Sequence, residues 1–466
     1  LHLNLGHYIL DYAKIPMQDV FSHTMAGQPV MQHAWLSTVI FAVIERGFGL
    51  EGIILLCALV IATTFHLVFR LVRGEGRFLI TAVLVVLWGI VTSMVHWLAR
   101  PHIFTFLLLI LWLTALTEMR RGKLKRWWVL PVLMVFWVNL HGGFIVGFLV
   151  WFIYGIGVAW DYLWFQKIDE NKPVPKFWCH YLLGGVTAFL SSLANPLGIR
   201  LWGSVTSHLG NQYLADITVE FQSPNFHQFS TWPFLIYILL LFLVLAWREK
   251  KPDSGLFFVT AAGLALGLYS GRYIPLFAIV AAPLLASSVD DVLSQAADRL
   301  KGIKKFTALD LRLQKVDHQL KGFLWPLLAV LVAVLGLALG FHFDSEGQGY
   351  ALDPEVFPIE AVDWLENNPQ EGEMFNHFTW GGYLQYRLWP ESRVFIDSKS
   401  DFYGEDFVRQ YLQIISLEEG WADRLKAYDV AWAILPSDQA LARALHAELG
   451  WEAVYEDSTA VILQKQ

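Results

Sequence analysis

Charge is what this sequence has least of. Only 16% of its 466 residues are Asp, Glu, Lys or Arg, where soluble globular chains carry about 25%. That deficit excludes a cytosolic enzyme, a nucleic-acid-binding protein and a disordered chain together. Cysteine is equally scarce: Cys57 and Cys179 both sit inside or at the end of apolar runs, so neither a disulfide framework nor a zinc-binding set exists. No GxGxxG, P-loop, HExxH or CxxC motif and no internal repeat occurs. What is present is apolar: 55% of residues come from the AVILMFWYC set, with 33 Phe, 21 Trp and a mean hydropathy of +0.45. The fold class is a polytopic α-helical membrane protein.

Apolar runs at about 50–70, 78–99, 101–118, 127–140, 144–160, 178–194, 232–247, 255–270, 273–289 and 323–341 give about ten expected spans. Crossing a hydrocarbon core takes roughly 20 apolar residues, and several of these runs fall short. The connections alternate in basicity. One set, at 70–77, 120–126, 167–176, 248–251 and 299–321, holds 21 Lys and Arg; the other, through residue 341, holds only Lys14, Arg46, Arg100, Arg200 and Arg272. The positive-inside rule then makes the first set cytoplasmic and puts residues 1–49 and everything after 341 outside.

Residues 342–466 contain 23 Asp and Glu against 8 Lys and Arg and no spanning run. They read as a soluble extracytoplasmic α/β domain, with strands at Arg393–Ile396, Ala431–Leu435 and Ala460–Leu463 and helices at Pro358–Asn367, Phe407–Ile415 and Asp438–Leu449. Its acidity argues against nucleic acid or anionic lipid as its direct partner. The expected domains are a first extracytoplasmic loop at 1–49, a transmembrane domain at 50–341 and the outer domain at 342–466. The sequence starts at Leu1 with an amphipathic helix, LHLNLGHYILDYA. A removed signal peptide or a preceding transmembrane helix would account for that, and we expect the helix.

Polar residues interrupt the apolar body at a few places. Residues 127–160 are broken only by Asn139, His141, Gly142 and Gly143, and residues 255–289 only by Ser270, Gly271, Arg272 and Tyr273. A third turn carries His96, Arg100, Pro101 and His102, and a fourth Ser191, Ser192, Asn195 and Pro196. Non-helical backbone at membrane depth is tolerated only where protein or a water-filled cavity covers it, and ionisable groups there are functional suspects. The set implies a recessed, cation-lined cavity opening outward. Singly, an Arg or His at a helix end more often snorkels to the interface; His141 and Arg272, beside glycine in apolar surroundings, are stronger candidates.

The first loop supplies acids, Asp11 and Asp19, followed by His33 and Trp35 at the start of a second amphipathic helix running to about Arg46. Such a helix suits a loop resting on the bilayer. Asp19 equally suits a turn or N-cap, and His33 an interfacial anchor. In the outer domain Asn376, Trp380, Asp397 and Asp401 sit in polar and aromatic clusters suited to holding a sugar or an acceptor. Asp397, directly after an expected strand, equally suits a turn.

This arrangement resembles the GT-C superfamily of integral-membrane glycosyltransferases, which includes oligosaccharyltransferases, protein O-mannosyltransferases and lipid A aminoarabinose transferases. More closely, the strings IPMQDVFSHT, QHAWL, WVNLHGGF, SSLANPLG, VEFQSPNF, FNHFTWGGYLQYRLWP and RVFIDSKSDFYG resemble a bacterial group of membrane proteins grouped with those transferases. The resemblance implies a multi-pass protein of the bacterial plasma (inner) membrane with an extracytoplasmic C-terminal domain. It also implies sugar transfer from a polyprenyl-phosphate or polyprenyl-diphosphate donor at the outer face, with membrane lipids as surroundings and no nucleic acid partner. A carboxylate would take the acceptor proton and cations would hold the departing phosphate. Asp19, and after it Asp11, match the acidic loop, while Arg100, His102, His141 and Arg272 match the phosphate-binding role. His33, Asn139, Asn195 and Glu220 would line the same cavity, Glu220 as a second outer-loop acid. In the superfamily the acid usually lies just after the first transmembrane helix, which here falls at or before Leu1, so Asp19 stands in for it. Some relatives use a divalent metal ion and others none. The alternative from another class is a non-catalytic GT-C-like subunit of a membrane assembly. A transporter fits poorly, because no charged relay runs through the spans and no inverted repeat is visible.

Overall fold

A computed structural model describes residues 1–75, 78–165, 174–209, 219–297, 299–320, 331, 335 and 352–466. Apart from residues 331 and 335, the expected span at 323–341 lies outside the described residues. The chain divides into two compact units, one formed by Leu1–Ile53, Ile199–Ile217 and Gln348–Gln466, the other by Ile54–Gly198 and Thr218–Gly347. The first loop, expected as a segment of its own, therefore shares a unit with the C-terminal domain.

In the helical unit most of the expected spans are helices, but by length and composition six helices among the described residues are fit to cross a membrane: Trp35–Gly74, Leu79–His96, Ile103–Arg120, Phe144–Trp164, Phe229–Trp247 and Gly271–Ala297. The expectation of about ten exceeds this number. Val129–Leu140 and Ser254–Tyr269 are apolar but shorter, as the length arithmetic anticipated, and 178–194 forms most of the Val174–Ser191 helix. The first apolar run belongs to a helix over Trp35–Glu75 interrupted at Gly49, whose φ of 66° and ψ of −168° are outside the helical region. Glycine permits that backbone without a Cβ penalty, and the interruption separates the amphipathic part from the span.

Ile103–Arg120 rises about 27 Å over its 18 residues, so its two ends define opposite ends of the bundle. At the Arg120 end the charges are paired. The Arg120 guanidinium meets Asp161 at 2.5 Å and Asp253 at 2.6 Å, Lys251 and the Ser254 hydroxyl also reach Asp161, and Asp253 caps its own helix by accepting from Leu256 N at 3.0 Å. Asp310, buried, accepts from Leu79 N at 3.0 Å and Ile80 N at 2.6 Å. It satisfies donors that every helix N-terminus leaves orphaned, and it favours the positive end of the helix dipole.

The other unit is built on a four-stranded sheet of order β1-β2-β4-β3, with β1 (Glu373–Asn376), β2 (Val430–Pro436), β3 (Glu452–Glu456) and β4 (Ala460–Gln464). β1 runs parallel to β2; β2 and β3 each run antiparallel to β4. β2 is apolar on both faces because both are covered. Ala433 and Leu435 pack with Phe407, Tyr411, Leu441 and Leu445, while Trp432 and Ile434 pack with Ala361, Val362, Leu365 and Leu384. Two expected strands, at Ala431–Leu435 and Ala460–Leu463, are β2 and β4. The three expected helices are present, as Ile359–Asn367, Glu405–Ile415 and Ala440–Leu449.

The third expected strand, Arg393–Ile396, is not in the sheet. Its backbone is taken by side chains and by the first loop. Asn376, 0% exposed, accepts from Phe395 N at 2.8 Å and donates to Ile396 O at 2.9 Å. On the other side His23 N donates to Val394 O at 3.1 Å, Val394 N donates to Phe21 O at 3.1 Å, and Thr24 Oγ1 donates to Phe395 O at 2.6 Å. Gly381 lies so close that a Cβ there would stand 2.1 Å from Ile396 O, which accounts for a glycine in the Trp-Gly-Gly-Tyr string.

Replacing Asn376 by Leu keeps the branched outline of the side chain, adds bulk at a fully buried site and strands buried main-chain groups. We expect a loss of about 2–4 kcal/mol, read as a lowered thermal midpoint of the full-length protein in detergent; an unchanged midpoint contradicts this role. His23 donates from Nε2 to Met374 O at 2.9 Å, and burial lowers its pKa below the ordinary 6.5 against the opposing pull of that bond and of Glu373. The folded state thus binds fewer protons than the unfolded one. Stability is present above about pH 6.5 and falls as the pH drops below it. The thermal midpoint should decline between about pH 7 and pH 5, and less steeply in His23→Gln.

Candidate functional site

The polar turns of the helical unit come together at the end of the Ile103–Arg120 helix opposite Arg120. Pro101 and His102 start that helix, and His102 donates from Nε2 to His96 O at 3.0 Å, the two rings lying 4.5 Å apart. The His141 ring is 6.4 Å from that of His102. His141 follows the short Val129–Leu140 helix; its Nδ1 accepts from Gly143 N at 3.1 Å and meets Thr105 Oγ1 at 2.9 Å, and Trp137 Nε1 donates to the same hydroxyl at 3.0 Å. A ring whose Nδ1 accepts a backbone N–H carries its proton on Nε2, so His141 presents a donor there. Gly143 is required by this crowding, since a Cβ would stand 2.6 Å from Thr105 Oγ1.

Asn139 and Asn195 build the turns. Asn139 Nδ2 donates to Val135 O and Ala194 O, both at 2.8 Å, joining the Asn-Leu-His-Gly-Gly turn to the Ala-Asn-Pro turn. Asn195 accepts from Leu197 N at 2.8 Å and donates to Ser192 O at 2.8 Å. A fifth segment, 219–231, joins them: Ser270 Oγ donates to Glu220 O at 2.9 Å and Gly271 N to Gln222 O at 3.0 Å.

The two arginines differ. Arg100 is exposed and engages both oxygens of Glu220, at 3.0 and 3.3 Å. Arg272 is half-buried and stacks over the Phe221 ring at 4.6 Å and beside Tyr273 at 5.6 Å. Among the described residues it has no ion pair. A guanidinium held on an aromatic face keeps its planar fork of N–H donors oriented. Next to Arg100 an apolar groove of about 510 Å³ runs along Ile54, Cys57, Ile61, Phe65 and Ile90 and reaches Trp97, Leu98 and Ala99. Sequence reasoning missed the groove, Thr105 and the Phe221 platform. Each depends on which helices pack together, for which the sequence has no local signal.

The remaining expected residues belong to the other unit. Asp19 is 9% exposed and its carboxylate accepts from Phe21 N at 3.4 Å, Ser22 N at 2.9 Å and Ser22 Oγ at 2.7 Å, the turn geometry weighed for it above. Asp11 is paired with Arg46 at 2.6 Å on the surface. His33 is half-buried just ahead of Trp35. Asn376, Trp380 and Asp397 are 0%, 3% and 3% exposed. Trp380 Nε1 donates to Val356 O at 2.8 Å, and Asp397 accepts from Gln385 Nε2 and Lys399 N, each at 2.7 Å. These three hold the domain together, and no ring face of Trp380 is open for a sugar. The Asp401 side chain lies outside the described residues. No group of three His, Cys, Asp or Glu able to hold a metal ion occurs among the described residues.

No protein-family model and no curated protein matches the chain. Solved structures similar to it include AglB and ArnT. The archaeal oligosaccharyltransferase AglB from Archaeoglobus fulgidus, in complex with an inhibitory peptide and a dolichol-phosphate, has 12% identity and a TM-score of 0.48 over 93% of this chain. This chain spans 65% of the length of that protein. ArnT from Cupriavidus metallidurans, bound to undecaprenyl phosphate, has 13% identity and a TM-score of 0.48, covering 99% of this chain and 92% of its own.

Removing the Asp19 carboxylate should loosen the 17–30 turn. In Asp19→Ala we expect amide exchange there to accelerate by roughly ten-fold, the cost of losing a buried capping acceptor, with a smaller effect in Asp19→Asn. Unchanged exchange would mean the carboxylate does not hold the turn.

Proposed function

We propose that this protein is a glycosyltransferase that takes its sugar from a polyprenyl-phosphate-linked donor at the outer face of a membrane. The observation that carries the reading is the juxtaposition of an apolar groove ending at Ala99, the exposed Arg100 that follows it, and the half-buried Arg272 without an ion pair among the described residues. A ligand that fits such a site has a long hydrocarbon tail and an anionic phosphate head. A soluble sugar nucleotide would have no use for the groove.

In transfer, an acceptor hydroxyl attacks the anomeric carbon, the bond from that carbon to the phosphate oxygen breaks, and negative charge collects on the departing phosphate. Arg272 is placed to pair with that charge as it develops, its planar fork matching two phosphate oxygens. Arg100 is tied to Glu220 by an exposed pair, which contributes little to stability and so leaves Arg100 free to exchange its partner for a phosphate. The acceptor proton needs a carboxylate to receive it.

One observation favours the second reading, a non-catalytic subunit that keeps the transferase scaffold. Both oxygens of Asp19 are occupied by neighbouring donors, and Asp11 is neutralised by Arg46. A protein in this state binds a polyprenyl phosphate without turning it over.

The test uses purified full-length protein with polyprenyl-phosphate-linked sugars. Donor consumption that falls by about 10²–10³ in Arg272→Gln, the loss typical of removing one charge-stabilising donor, supports transfer. Binding of polyprenyl phosphate without consumption supports the subunit. Neither binding nor consumption overturns both.

A further inference from the structure

The helix Lys301–Gln319 follows the last described span, which ends at Ala297, and it is an unusual surface element. Its one buried residue is an acid, Asp310, which accepts from Leu79 N, Ile80 N and Gln314 Nε2. That polar clamp fixes how the helix is rotated. At about 100° per residue, Ile303, Phe306, Thr307, Leu313, Gln314 and Asp317 fall within about 60° of Asp310, and all six are partly covered. Lys301, Lys304, Lys305, Arg312 and Lys315 fall within about 60° of the opposite pole, are exposed, and form no ion pair among the described residues. Between the two sectors lies an apolar stripe of Leu309, Val316 and Leu320, exposed by 50%, 40% and 38%. Leu311 borders the basic sector on its other side.

An apolar stripe beside a basic face, on a helix joined directly to a membrane span, matches a helix lying in the bilayer interface. The apolar residues enter the acyl boundary while the lysine stems run along it and carry their charges to the headgroups. The charge is unbalanced: the only acids on the helix are Asp310, turned inward, and Asp317, partly covered. A zwitterionic surface would not compensate five unpaired cations; an anionic one would. We infer that this helix docks on the anionic phospholipid headgroups of the leaflet facing the basic loops, held at its correct rotation by the buried Asp310 clamp. The docking is separate from sugar transfer, and its test leaves that activity aside.

The full-length protein is reconstituted in nanodiscs of pure phosphatidylcholine or of an equal mixture of phosphatidylcholine and phosphatidylglycerol. An environment-sensitive fluorophore is placed at Leu309→Cys, and in a second variant at Ala308→Cys, on a Cys57→Ala, Cys179→Ala background. The expected result is that the Leu309 label is quenched by acyl-chain nitroxides in the mixed discs, several-fold more than in pure phosphatidylcholine, while the Ala308 label is not. Changing Lys301, Lys304, Lys305, Arg312 and Lys315 together to Gln should abolish the dependence on phosphatidylglycerol, and changing the four lysines to Arg should retain it. High salt should weaken it by screening. A Leu309 label that stays water-accessible in both discs overturns the proposal, as does a phosphatidylglycerol dependence that survives in the Gln variant. Shielding by a co-purifying polypeptide in place of lipid would also overturn it.

Discussion

Much of the helical unit follows from one constraint: main-chain N–H and C=O groups that leave a helix in apolar surroundings must still be hydrogen-bonded. Five turns break the helices at one end, and side chains close the account. Asn139 takes Ala194 O, Ser270 takes Glu220 O, His102 takes His96 O, and Asn195 folds its own turn. Residues that look chemical in the sequence are thereby occupied in holding irregular backbone. The same constraint makes the exceptions informative. Arg272 has an aromatic platform and, among the described residues, no ion pair.

At the Arg120 end the same need is met by carboxylates. Asp253 and Asp310 supply acceptors to helix N-termini, and Asp161 gathers Arg120, Lys251 and Ser254. Buried ion pairs of this kind cost desolvation and are weak evidence for stability. Their consequence is geometric, because each fixes the rotation of a helix that apolar packing alone would leave less defined. The Lys301–Gln319 helix shows this most clearly: one inward acid decides which of its residues face out.

The other unit applies the rule to a chain crossing. Residues 393–396 have the apolar, β-branched pattern of a strand, yet the positions that a sheet partner would fill are filled by the Asn376 amide and by residues 21–24. The first loop and the C-terminal domain thus share a core, and Asp19 serves as a turn acceptor within it. β1 and β3 went unread for ordinary reasons. The first is four residues long, and the second is an exposed edge whose Glu-Ala-Val-Tyr-Glu pattern lacks apolar alternation.

Hydropathy made the multi-pass body legible, since a lipid-facing or buried helix must be apolar over its length whatever it packs against. The short runs at 127–140 and 255–270 correspond to the short apolar helices Val129–Leu140 and Ser254–Tyr269. The acid excess after residue 342 set the C-terminal domain apart, and its two-sided apolar runs marked β2 and β4. Tertiary structure alone decided which polar residues are consumed. Whether Trp380 faces a ligand or Val356 O, whether Asp19 is available or capped, and whether Arg272 meets a carboxylate or Phe221 all depend on segments far away in the sequence. A residue's chemistry is local, but its freedom to use it is set by partners that only the folded chain supplies.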